Sequence, residues 1–227
     1  MTDILIVNAS PVLLDGEVSS IIPALQKWDD DYLRPAYGFD RCTYHFMPRG
    51  QLPDPNDASV WPIFLNRHSV DPGALGWHDD DSGRVFGRVF VGDCLRYGVS
   101  WTVDLSHEAA EMRGDPHVDQ KFVMPDGRIS MVELCDAVEA DELAITVDGV
   151  RFSDFVLPDY WSAKTSGKFD YQGALTGPCP TLTPGGYMSI WDGRGWTQHT
   201  AMFLGGPPSY RSIRFHQSHR RRRMTAP

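Results

Sequence analysis

The order of hydrophobic and polar positions predicts that the first half of the chain builds a sheet with a helix on it. Residues 3–8 form an apolar run of the length of a buried strand. Residues 17–32 carry apolar side chains at helical spacing, which predicts an amphipathic helix. Short segments at 43–46 and 60–65 predict two more strands, and Pro62 favours an edge position or a bulge for the second. A strand, a helix and further strands open many α/β sheets.

The next segment predicts a loop followed by a strand. Residues 73–83 are rich in glycine and contain the aspartates 79–81, which favours a solvated loop. The alternative is a cation site, in which His78 is a ligand candidate. Residues 84–91 are rich in Val and Phe and predict a strand near a sheet edge.

The helix predicted between Ser100 and Gly114 carries the candidate chemistry. Ser100 suits an N-cap, and Gly114 suits the end of a helix. His107 and Glu111 are four residues apart, so they project from one face and can bind one ion. With Glu108 the motif reads H-E-x-x-E, which differs from the H-E-x-x-H zinc helix in its last residue. The alternative is an exposed amphipathic helix on which His107 simply pairs with Glu111.

The second half of the chain predicts β-hairpins joined by aromatic-rich loops. A Pro-Asp-Gly turn separates the strand segments 121–124 and 128–134, and an Asp-Gly turn separates 143–147 and 150–157. We expect these two hairpins to form one small sheet beside the first half. A last hairpin is predicted across residues 192–195, after a long segment whose aromatic side chains are expected to pin loops onto the core.

The composition is that of a soluble globular chain. The 227 residues carry a formal net charge of −9, which argues against a protein that coats nucleic acid. Four widely spaced cysteines predict reduced, buried thiols rather than a disulfide framework. The N-terminus lacks a signal-peptide pattern, and the sequence lacks an apolar run of membrane-spanning length. We therefore expect a soluble intracellular protein without a membrane span.

Several blocks within residues 73–200 carry a family resemblance: 105–116, 133–139, 153–158, 185–187 and 196–198. They resemble a family of uncharacterised phage and prophage proteins with a zincin metallopeptidase-like helix. The resemblance implies an α+β fold with a zincin-like mixed sheet and an active-site-type helix, followed by β-hairpins and long aromatic-rich loops. It also implies a protein of the bacterial host cytoplasm or of the virion. Active zincins have histidine at the position of Glu111, so this substitution lowers the expected affinity for zinc.

The resemblance suggests two candidates for a third metal ligand. Glu133 resembles the downstream glutamate of thermolysin-like enzymes, in which a nearby aspartate, here Asp136, orients a zinc-binding histidine. His117 follows His107 by ten residues with a glycine between them, which is the spacing of metzincins. We favour Glu133, because the resembling family shares this acidic block.

These residues predict a metal-dependent peptidase. Zinc is the expected ion, and one histidine with two carboxylates would also suit manganese or iron. Glu108 would take a proton from the activated water and return it to the leaving amine. Asp136 and Asp115 would orient the ligands from behind. A peptide substrate would pair with the strand predicted at 84–91.

The alternative function is a structural or assembly protein of a phage head or tail that uses a catalytically inactive zincin-like scaffold. The C-terminal tail favours a role in contacts, because four consecutive basic residues would bind an acidic partner such as another virion subunit or, with weaker support, nucleic acid. They are Arg220, Arg221, Arg222 and Arg223. We expect a metallopeptidase-like domain at 1–157, an extension rich in aromatic residues, glycine and proline at 158–209, and the basic tail at 210–227.

Overall fold

A mixed five-stranded sheet forms the first half of the chain in the computed structural model, which describes residues 2–55, 57–70 and 73–201. Its strands are β1 (Asp3–Asn8), β2 (Tyr44–Met47), β3 (Val60–Asn66), β4 (Gly76–Asp81) and β5 (Arg84–Phe90). Their order is β2-β1-β3-β5-β4, and every neighbouring pair is parallel except the antiparallel pair β4–β5 at the edge. The predicted α+β class is confirmed.

The edge strand β4 lies where the sequence predicts a loop, so the prediction for residues 73–83 is wrong at Gly76–Asp81. Ser82 and Gly83 both adopt left-handed backbone, with φ of 58° and 86°. Two such residues close a tight hairpin whose twist matches that of the strands, so they hold β4 against β5. The strand predicted at 84–91 is β5, and it is the second strand from this edge of the sheet.

Pro62 lies inside the sheet rather than at the predicted edge. β3 pairs with β1 over most of its length, and with β5 only from Ile63 to Asn66. Pro62 precedes the first position paired with β5, so the amide hydrogen that proline lacks removes no ladder bond on that side.

The helices lie on one face of this sheet. The predicted helix at 17–32 is confirmed as α1 (Asp15–Trp28), which continues through a π-helical turn (Asp29–Leu33) into α2 (Arg34–Tyr37). The remaining helices are α3 (Val91–Tyr97) and α4 (Trp101–Gly114). In the part of the chain that the structure describes, these helices are too short or too polar to cross a bilayer.

The helix α4 is the centre of the molecule, with Ser100 at its N-cap as predicted. All eleven residues from Thr102 to Met112 are buried, because β3, β4 and β5 pack on one side and β9 (Val150–Phe152) on the other. The alternative of an exposed amphipathic helix is wrong. At the end of α4, a Cβ on Gly114 would lie 2.6 Å from Cδ1 of Leu134, so close packing requires glycine here.

The second half of the chain forms two separate small sheets. The remaining strands are β6 (Lys121–Val123), β7 (Ile129–Met131), β8 (Ile145–Val147), β10 (Tyr187–Trp191) and β11 (Trp196–Thr200). All three predicted hairpins, β6–β7, β8–β9 and β10–β11, are confirmed. The expectation of one sheet from the first two hairpins is wrong, because β7 pairs with β10 in a four-stranded sheet while β8–β9 packs against α1.

The loops of this half are pinned by buried side chains, as predicted. Tyr160 and Phe169 pack with Met188 and Ile190 in a second hydrophobic cluster. The four cysteines are free and buried, which confirms that prediction. The basic run at residues 220–223 lies outside the described residues.

Candidate metal centre

One face of α4 places three ionisable side chains in the protein interior. His107 and Glu108 are 2% exposed, and Glu111 is fully buried. Burying a charge is costly unless an opposite charge or a metal compensates it. Among the residues that the structure describes, no lysine or arginine is buried to this extent. Arg113, near the end of the helix, pairs with Asp29 instead, so histidine is the cationic side chain that lies beside these carboxylates.

His107 lies between two carboxylates. Its Nε2 atom is 3.0 Å from Oε1 of Glu111 and 3.2 Å from Oδ1 of Asp136. Burial lowers the pKa of His107, but the charge of Glu111 and the hydrogen bonds to Asp136 and Glu111 outweigh it and raise this pKa well above its ordinary value. The environment of His107 therefore favours a positive charge, whether a proton or a metal ion supplies it.

His78 approaches the same helix from the edge strand β4 and is fully buried. Its Nε2 atom is 3.0 Å from the carbonyl oxygen of Asp115. A carbonyl only accepts hydrogen bonds, so Nε2 must carry a hydrogen and donate it. The other nitrogen, Nδ1, lies 3.5 Å from Oε2 of Glu108 and 3.5 Å from Oε2 of Glu111. This is the arrangement of a metal-binding histidine, whose second nitrogen is usually held by an acceptor behind it.

Two groups of side chains have the composition and spacing of metal ligands. One joins His78, Glu111 and Glu133, and the other joins His107, Glu111 and Asp136. Within each group the candidate ligand atoms all lie within 4.8 Å of one another, and every member is buried. Imidazole nitrogen and carboxylate oxygen suit zinc, manganese and iron alike, so the residues fit a divalent ion without selecting one.

The predicted ligands are divided between the two groups. Glu111 belongs to both, whereas His107 and Glu133 each meet it in a different group. Asp136, which was expected to orient a histidine from behind, lies at the same Nε2 atom as Glu111 and is placed as a ligand candidate. Glu108, the predicted catalytic base, lies beside the first group through its contact with His78.

The other predicted residues take different positions. The side chain of His117 is half-exposed, and its Nδ1 is 2.8 Å from Oδ2 of Asp80, so it belongs to neither group. The carboxylate of Asp115 accepts hydrogen bonds from the backbone amides of Asp119 and Gln120. Burial raises the pKa of Asp115, and these two hydrogen bonds oppose the rise. Asp115 thus shapes the turn after α4, from which its carbonyl holds His78.

The segment that carries Glu133 and Asp136 is held against the end of α4. Leu134 packs on Gly114, and its carbonyl accepts a hydrogen bond from the amide of Val156. A short 3₁₀ turn at Asp136–Val138 follows. These contacts present the two acidic side chains to the helix face.

The sequence predicts His78 only as a ligand candidate within a loop, and loop residues do not have a defined direction. The signal that could have placed it is the Ser82–Gly83 pair, since two turn residues before a β-rich segment favour a hairpin. A hairpin would have put His78 on a strand, with a defined face.

An apolar groove of about 620 Å³ lies elsewhere. Its lining includes Leu5, Pro62, Phe64 and Phe86, which alternate along their strands with residues that face the helices. The groove is therefore on the opposite face of the sheet from α4 and is separate from the two ligand groups.

Comparisons with protein-family models, with curated proteins and with solved structures gave no match.

Proposed function

We propose that this chain is a metal-dependent peptidase of zincin-like type whose ion is held on the buried face of α4. The observation that carries the proposal is the convergence of two imidazoles, from His78 and His107, on the single carboxylate of Glu111. Glu133 joins His78 and Glu111 in one ligand group, and Asp136 joins His107 and Glu111 in the other. Zinc, manganese or iron would fit these donors.

A divalent ion bound there would act as a Lewis acid and lower the pKa of a coordinated water. Glu108 is positioned to act as the general base, because its Oε2 atom lies 3.5 Å from Nδ1 of His78, the nitrogen that would bind the ion. It would accept a proton from the attacking water and return it to the leaving amine. Gly76 leaves room for this carboxylate, since a Cβ at position 76 would lie 2.5 Å from Oε1 of Glu108.

The edge strand β4 is positioned to pair with an extended peptide. In the described part of the chain, β4 pairs with β5 on one side and with no strand on the other. The sequence predicted docking at 84–91, but β4 covers that strand, so we propose β4 itself. An extended substrate would add as another strand and bring its scissile bond toward the helix side of His78.

A structural role is the second candidate, favoured by the closure of the site. The ligand candidates His78, His107, Glu111, Glu133 and Asp136 are 0–4% exposed. Closed metal sites are typical of structural ions, whereas catalytic sites keep a position open for water or substrate. In this alternative the ion stabilises a scaffold that binds other subunits of a phage particle, and the basic tail contributes to those contacts.

Hydrolysis of a fluorescence-quenched peptide library by the full-length chain, reconstituted with zinc, manganese or iron, tests the proposal. We expect cleavage that a chelator abolishes and that the ion restores. A protein that holds the ion stoichiometrically, remains folded and cleaves no peptide would contradict the peptidase proposal and support the structural alternative.

A further inference from the structure

The carboxylate of Glu111 faces two imidazoles with its two oxygens. Oε1 is 3.0 Å from Nε2 of His107, and Oε2 is 3.5 Å from Nδ1 of His78. A carboxylate that chelates one ion directs both oxygens to that ion. Because the two oxygens of Glu111 face two different imidazoles, this carboxylate has the geometry to bridge two ions.

Each side of this bridge has a further carboxylate of its own. Glu133 joins Glu111 and His78, whereas Asp136 joins Glu111 and His107. The two sets share only Glu111, and each supplies one nitrogen and two carboxylates. A mononuclear centre would use one set and leave the second, equally buried, set without an ion.

The distances on the His78 side are longer than those of hydrogen bonds. Nitrogen–oxygen hydrogen bonds cluster at about 2.7–3.2 Å, whereas Nδ1 of His78 is 3.5 Å from Oε2 of Glu111. Metal bonds of about 2.1 Å at a tetrahedral angle would put N and O about 3.4 Å apart. The distances on the His107 side, 3.0 and 3.2 Å, are those of hydrogen bonds and also fit the separation of about 3.0 Å between adjacent ligands of an octahedral ion.

We propose that the chain binds two divalent cations bridged by Glu111, one held with His78 and Glu133 and the other with His107 and Asp136. Each set, with one imidazole and two carboxylates, suits manganese and iron(II) as well as zinc. Pairs of ions about 3.5–4 Å apart occur in hydrolases that stabilise both the attacking and the leaving group. This inference deepens the metal centre proposed above and rests on it.

Titration of the metal-stripped, full-length chain with manganese(II), followed by electron paramagnetic resonance, tests the pair without any assay of activity. Loss of the free-ion signal counts the bound ions, and spin coupling reports whether they are bridged. We expect two equivalents and a coupled spectrum. The variant His68→Ala, which alters a half-exposed histidine paired with Asp93, should match the wild type.

Variants then assign the two positions. His78→Ala and Asp136→Asn should each bind one equivalent with an uncoupled spectrum, and circular dichroism would identify a variant that fails to fold. If one of these two variants fails to fold, the other still tests the metal position to which its own residue belongs. If the wild type binds one equivalent with an uncoupled spectrum, the proposal of two bridged ions is wrong, whereas the proposal of a peptidase with a single ion is unaffected. Two uncoupled equivalents would also overturn the bridge, and a chain that binds no ion would overturn both proposals.

Discussion

The imidazole of His78 donates a hydrogen bond from Nε2 to the carbonyl oxygen of Asp115, at 3.0 Å. This contact ties the edge strand β4 to the residue that caps α4. Because the bond consumes the hydrogen on Nε2, it leaves Nδ1 as the nitrogen that faces Glu108 and Glu111. The end of the helix thus sets the direction and the tautomer of a histidine that lies 37 residues earlier in the chain.

The tautomer of His78 is directly observable. Long-range proton–nitrogen correlation spectra of the metal-loaded protein should show His78 with hydrogen on Nε2 alone. With cadmium-113 as a substitute ion, spin coupling should reach Nδ1. Hydrogen on Nδ1 and coupling through Nε2 would contradict the assigned role of the Asp115 carbonyl.

Glu108→Gln should separate catalysis from metal binding. The amide keeps the shape of the side chain but cannot accept a proton, so peptide cleavage should fall by about a hundredfold or more. Metal content should stay within error of the wild type, as measured by plasma mass spectrometry. The exposed residue Glu142 supplies the matched control Glu142→Gln, which should change neither quantity. Full cleavage by the Glu108 variant would rule out Glu108 as the base.

Gly76→Ala should disturb the same carboxylate from the opposite side. The new Cβ would lie 2.5 Å from Oε1 and 3.0 Å from Cγ of Glu108, so the side chain must move. We expect a large loss of cleavage with a destabilisation of about 1–3 kcal/mol, the usual range for an overpacked interior. Gly16→Ala is the control, because a Cβ at Gly16 meets nothing within 4 Å. Unchanged kinetics in Gly76→Ala would show that the position of Glu108 is unimportant.

Asp154 should make stability depend on pH. Burial and a hydrogen bond to Asp170 raise the pKa of Asp154 to about 8, whereas an unfolded aspartate titrates near about 3.9. Between these values the folded chain holds one more proton than the unfolded chain. The stabilisation that protonated Asp154 contributes is therefore complete below about pH 4. It is lost as pH rises toward 8, by up to about 1.4 kcal/mol of unfolding free energy per pH unit.

Asp154→Asn isolates this contribution. The amide can donate to Asp170 as the protonated carboxyl does, so the variant should be more stable than the wild type at pH 8, and the gain should shrink toward pH 5. Urea unfolding at several pH values measures it, with the exposed Asp31→Asn as control. A difference between Asp154→Asn and wild type that does not change with pH would contradict the raised pKa.

Local sequence patterns predicted most of the fold. The helix around His107 and the three hairpins of the second half follow from capping residues, spacing and turn residues that act over a few positions. They also predicted that His107, Glu108 and Glu111 share one helix, but not that the helix is buried on all sides. Its polar composition is typical of an exposed helix, and only the packing of β4, β5 and β9 around it shows otherwise.

The partners of these three residues depend on long-range contacts. Spacing alone does not distinguish His117 from Glu133 as a third ligand, since both are downstream of α4. In the structure, Leu134 packs on Gly114 and brings the neighbouring Glu133 to the helix, whereas His117 turns outward to Asp80. His78 reaches the helix because β4 pairs with β5, and this pairing depends on the turn at Ser82 and Gly83. The aspartates that precede this turn favour a loop prediction, so the sequence does not predict the strand.

Metal content tests the central claim most directly. The full-length chain should be purified without chelators and analysed by plasma mass spectrometry beside the variant His107→Ala. We predict at least one equivalent of zinc, manganese or iron in the native protein and a clear loss in the variant. A folded native protein that contains no divalent metal, and binds none when it is supplied, would contradict the account and leave His107 and Glu111 as a buried ion pair.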